Sequence, residues 1–151
     1  TKKDKLMNNL TSAIEALATV IENQGGASVW ATVNNLEHVA LADVLNTRTT
    51  GYVVGNNRYS TIVTQWHSLT PQQKLDQLLI AVLDMSFRYE ATNGHYPMFG
   101  VWLDKNDNRL YVDPITHEEV LATAMNLGAS NGELAIWDIS MAREIRLKNV
   151  A

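Results

Sequence analysis

Between residues 98 and 112, two apolar runs are broken by five polar residues, and this fixes an antiparallel pair of strands. Met98–Leu103 reads as a strand, Asp104-Lys105-Asn106-Asp107-Asn108 as a turn, and Arg109–Val112 as the returning strand, with Pro114 expected to stop it. Alternation sets the faces. If Val101 and Leu103 are buried, Trp102 points to the other side. Further strands are expected at Val29–Val33 and Val39–Val44 around the Asn34-Asn35 turn, at Thr49–Val54, at Tyr59–Val63 as its hairpin partner, and at Glu133–Asp138 and Arg143–Leu147.

Helices are expected at three places. Leu6, Leu10, Ile14, Leu17 and Ile21 recur three or four apart within residues 4–23, widened by Met7, Ala18 and Val20, before Gly25-Gly26. Thr70-Pro71-Gln72-Gln73 has an N-cap threonine, proline at the first helical position and glutamine at the third, followed by Leu75, Leu78, Leu79, Val82 and Leu83. Thr116 and Glu119 suggest a second capping box, opening a helix to Asn126 capped by Gly128. With no linker, repeat or low-complexity segment, residues 1–151 read as a single α+β domain: a mainly antiparallel sheet covered by about three helices.

Composition narrows the function classes. A chain of 151 residues with 46% hydrophobic content builds its own core. It has no cysteine, which removes disulfides, thiolate nucleophiles and cysteine-based zinc sites. The net charge of −4, with no basic stripe, argues against direct duplex DNA binding. The absence of a long apolar run argues against a membrane span, and Thr1-Lys2-Lys3-Asp4 lacks a signal-peptide core, so a cytoplasmic protein is expected.

Motifs for chemistry are weak. Asp104-x-Asn106-x-Asn108 begins like a calcium loop, but Arg109 and Ile115 occupy the positions that need glycine and glutamate. His38, His67, His95 and His117 have no zinc-binding spacing, and no nucleophile elbow occurs. No catalytic residue, metal or cofactor is therefore expected. The richest segment is Thr49–Thr61, where small polar residues follow a strand. Its backbone could form an anion nest. Arg48, Arg58 and Arg109 would neutralise charge, Tyr52 and Tyr59 would stack, and Asn56 and Asn57 would supply hydrogen bonds beside Thr50. The plain alternative is a hairpin turn with Gly55 and Asn56 at positive φ.

Phe99-Gly100-Val101-Trp102-Leu103-Asp104, Arg109-Leu110-Tyr111-Val112-Asp113, Leu134-Ala135-Ile136-Trp137-Asp138 and Arg143-Glu144-Ile145, with Thr49–Gly55, resemble a family of small, mostly uncharacterised proteins of bacteriophages and plasmids. The resemblance implies a mobile-element origin and a site of action in the host cytoplasm, and carries no activity with it. Trp30, Trp102 and Trp137 in strands would give a second, aromatic sheet face needing cover. The favoured cover is another subunit of a homo-oligomer with ligand pockets at the seam, near His95-Tyr96-Pro97. Three functions follow: an accessory protein sequestering a small anionic ligand such as a nucleotide signal, an inhibitor or adaptor of a host protein, or a small nucleotide enzyme using Glu90 or His95.

Overall fold

The computed structural model describes residues 1–147, with residues 2–8 described through their backbone alone. It shows a single α+β domain, in which a seven-stranded antiparallel sheet carries three helices. Helix α1 spans Lys2–Gln24, α2 Pro71–Asn93 and α3 Leu121–Ser130. The strands are β1 Gly26–Val29, β2 Tyr52–Gly55, β3 Thr61–Thr64, β4 Met98–Asp104, β5 Arg109–Glu118, β6 Ala135–Asp138 and β7 Arg143–Arg146. Their order is β1-β4-β5-β2-β6-β7. On one flank of the long β5, β3 pairs with Arg109–Val112 and β2 with Ile115–Glu118.

All three helices lie on one face, and the reason is alternation. Ala27, Val101 and Val112 are register partners and point the same way, as do Val29 and Phe99. They are buried against Leu10, Ile14, Leu17 and Ile21 of α1 and Leu78, Val82 and Met85 of α2. Further along the same face, α3 covers Val54 and Ile136 through Ala124. A Cβ on Gly128 would stand 2.9 Å from Ile136, so this glycine lets α3 settle onto the sheet rather than ending the helix, as expected of it. Leu6 and Met7 of the α1 stripe lie outside the residues whose side chains are described.

The capping box of α2 forms as its sequence demands. Thr70 Oγ1 accepts from the Gln73 N–H, and Gln73 Oε1 accepts from the Thr70 N–H. The box expected at Thr116 does not form. β5 runs on to Glu118 because β2 supplies pairing partners for Ile115–Glu118, and α3 begins at Leu121 after Val120, without a side-chain cap. Pro114 does not stop β5 either. Its carbonyl accepts from the Asn56 N–H at 3.0 Å, so the N–H it lacks would point to the same side, into the gap between β2 and β3.

Two other expectations change. β3 does not fold back on β2: Gly55 is not among the positive-φ glycines, Asn56 has φ −134°, and a short 3₁₀ turn over Asn57–Tyr59 carries the chain along β5 to the next pairing site. Residues 30–44 do not make a strand pair. Val33, Leu36 and Leu41 enter the core through turns, a 3₁₀ turn forms at Leu41–Asp43, and the expected pairing survives as a bridge from Val29 to Leu45. Among the described residues, no helix is long and apolar enough to cross a membrane.

Candidate binding site on the open sheet face

With the helices on one side, the opposite side of the sheet carries no helix among the described residues, and Trp30, Val53 and Ile115 form a small buried cluster there with Met98 and Ile139. Trp102, Asp113, Ile115, Val53 and Trp137 point there by alternation, and they line a cavity of about 650 Å³. Its wall is Trp30, just beyond β1, and Arg48, whose guanidinium lies 4.5 Å from the Trp30 ring centroid. His117 meets the Trp30 ring edge-on at 5.6 Å and bonds through Nε2 to the Thr50 carbonyl at 2.7 Å. Gly51, at φ +84°, packs against that imidazole, where a Cβ would lie 2.6 Å from Nε2. The rim loop bearing Arg48 is thus tied to β5.

Two glycines set the pose of Trp102. Gly26 is its cross-strand partner, and Gly100 lies two residues earlier on the same face of β4. A Cβ on Gly26 would stand 2.9 Å from Trp102 Cε3, and one on Gly100 would stand 2.8 Å from Cζ2 and 3.0 Å from Nε1. The indole therefore lies flat across bare backbone, one π-face on the sheet and the other towards the cavity. Rings that lie flat on a strand surface are stacking platforms for other rings.

Beside the platform stands a pair of carboxyls. Asp113 is the register partner of Gly100 and takes the hydroxyl of Ser60. Glu133, from the loop before β6, packs on Gly55, where a Cβ would be 3.1 Å from Oε1. That Oε1 is buried, with no hydrogen-bond partner among the described residues. Burial raises the proton affinity of Asp113, partly offset by Ser60. Glu133 is pushed up to about 7 by burial first and by Asp113 second, with the Asn57 backbone N–H working against both. Among the described residues, no group of three or more histidines, aspartates or glutamates could hold a metal ion.

Glu133 gives a pH prediction. Native Glu133 keeps its proton to about pH 7, whereas the unfolded carboxyl releases it near 4.5. Stability therefore falls as pH rises across that window, and the full penalty applies above it. Replacing Glu133 with Gln is expected to flatten this slope. Above pH 7 it should stabilise the fold by about 1 kcal/mol once solvent screening of its exposed part is discounted. Thermal melts from pH 5 to 8.5 check this, and a wild-type-to-variant gap constant with pH would refute it.

Of the eight residues singled out in the sequence, Arg48 lines this cavity and the other seven do not. Arg58 Nη2 donates to the Ser130 carbonyl at the end of α3, and Asn57 Nδ2 donates to the Gly132 carbonyl. Asn56 caps its own turn by accepting from the Arg58 N–H. Thr50 Oγ1 reaches Glu119 at 3.5 Å. Tyr52 points to the helix face beside α3, and Tyr59 packs edge-on against Tyr89 of α2 at 5.1 Å. Arg109 opens β5, opposite Asp104 at the tip of the hairpin. Glu90 and His95 sit around the C-terminal end of α2, with the His95 ring on Tyr89 at 5.5 Å.

The residues missing from that set are Trp30, Trp102, Trp137, Asp113 and Glu133. Alternation around Trp102 marked the face, but the glycine pair beneath it exists only once β1 meets β4. Comparison with protein-family models, curated proteins and solved structures finds no match.

Proposed function

We propose that this chain is a ligand-binding protein that seats a small ring-bearing molecule on the open face of its sheet, stacked on Trp102. One observation carries this: the Trp102 indole lies flat over Gly26 and Gly100 with its free face towards a cavity of ligand size. In the phage or plasmid setting implied by the resemblance, such a protein acts in the host cytoplasm by holding a nucleotide-like signal away from its receptor.

A nucleotide would place its base on Trp102 and its anionic part towards Arg48, the only Lys or Arg among the described lining residues. Asp113, Glu133 and Glu144 line the same space. Affinity therefore comes mainly from the ring, not from phosphate, and Arg58 and Arg109 contribute none of it. Stacking on one aromatic platform contributes about 1–3 kcal/mol per base.

Native mass spectrometry of gently purified protein tests the proposal. Wild type is expected to carry, or take up from a panel of nucleosides and nucleotides, one small molecule that Trp102→Ala does not retain. A bare wild type that takes up nothing from the panel overturns it. A bare dimer would instead support a second copy as the cover of the aromatic face.

A further inference from the structure

We infer that the ring held on Trp102 presents a guanidine-type N–H edge to Glu133 beside Asp113, as the donor edge of a guanine base does. This rests on the proposed stacking site and adds the chemical class of its occupant. Three observations on independent elements point to it.

The first is position. Gly100, under the indole, pairs across to Asp113, and the next strand over carries Gly55, against which Glu133 packs. From β4 to β2 is two strand spacings, about 10 Å. A two-ring base seated on Trp102 brings its edge to Asp113, one strand away, and Glu133 lines the same cavity on the far side of β5.

The second is an unmet need. Glu133 Oε1 is buried and accepts no hydrogen bond from the described residues. A buried acceptor without a donor is costly, so the carboxyl, whose Oε1 is pressed against Gly55, gains by turning from the sheet towards a ligand that brings the donor.

The third is the surrounding charge. Facing Glu133 are Asp113 from β5 and the backbone N–H of Asn57. The nearby Arg58 guanidinium is engaged with the Ser130 carbonyl, Glu144 of β7 adds a negative charge to the cavity, and Arg48 lies across the Trp30 wall. Among the described residues, no cation is set against this pair. Above about pH 7, where Glu133 is ionised, two adjacent N–H donors on a planar edge match its carboxylate in the bidentate manner, and an edge of acceptors or phosphate oxygens would be repelled.

The test is quenching of tryptophan fluorescence by guanosine and by inosine, which has the same two rings without the amino group. Guanosine is expected to bind wild type at least tenfold more tightly than inosine, since a site built around a donor rejects the analogue lacking it. Glu133→Gln and Glu133→Asp, both checked for an intact melt, should each weaken guanosine at least tenfold and weaken inosine, which keeps one of the two donors, by less. Guanosine should also bind about tenfold more weakly at pH 6 than at pH 8, because Glu133 must shed its proton to accept both donors.

Equal affinity for the two nucleosides, or guanosine binding indifferent to both Glu133 variants, would overturn the donor edge while leaving the stacking site intact. No quenching by guanosine at millimolar concentration would also overturn it. Guanosine binding untouched by Trp102→Ala would instead sink the stacking site beneath both proposals.

Discussion

Trp66→Ala is expected to destabilise the fold by about 3–5 kcal/mol, among the largest effects of any single truncation here. Trp66 is 0% exposed and joins three elements that are distant in sequence. Its indole N–H donates to Glu22 of α1 at 3.0 Å, Lys74 of α2 lies over its ring at 5.4 Å, and its backbone N–H donates to Asn108 in the β4–β5 turn at 3.1 Å. Lys74 also bonds Glu22 at 2.8 Å, which holds that carboxyl below its ordinary range, with the Trp66 N–H helping. Alanine would leave a cavity bounded by two helices and a hairpin that cannot all collapse together. Because a domain of this kind has only about 5–15 kcal/mol in total, urea unfolding should show a much lower midpoint. A loss under about 1 kcal/mol would mean that the core closes without this side chain.

Gly100→Val should do the opposite, leaving the fold and removing the function. Valine suits a strand, so the melting temperature should move little. Its Cβ, however, would occupy the space of the indole, 2.8 Å from Cζ2, so Trp102 must lift from the sheet. Losing a stacking platform worth about 1–3 kcal/mol predicts a roughly 5- to 100-fold loss of ring binding. Fluorescence titration and a thermal melt on the same sample check both halves. Undiminished affinity would show that the flat indole is not the seat of the ligand.

How much of this was legible in the sequence depended on range. The β4–β5 hairpin, the α2 capping box and the outward face of Trp102 follow from contacts a few residues apart, which periodicity and turn chemistry encode directly. Pro114 and the Thr116–Glu119 pair misled because local rules were overridden: β2 offered pairing to residues 115–118, and a gap faced the missing N–H of Pro114. The nest-like segment around Arg58 held the right residue types for an anion site. Its side chains are spent on the end of α3 and on Gly132, partners more than seventy residues away.

The binding face was half visible for the same reason. Alternation placed Trp102 and Trp137 opposite the helix-covered face, as the register shows. The flat pose needs Gly26, from a strand that sequence patterning starts three residues too late. The carboxyl pair needs Glu133 to meet Asp113 across a sheet order that local patterns do not specify.

The most direct test uses the four tryptophan indole N–H signals in solution NMR during titration with guanosine. Trp30, Trp102 and Trp137 line the open face, whereas Trp66 is sealed beneath the helices with its N–H on Glu22. Binding on the open face predicts that the Trp102 signal moves most, that those of Trp30 and Trp137 move with it, and that Trp66 stays in place. A titration that leaves Trp102 still, or shifts Trp66 as much, would contradict a ligand site on this face.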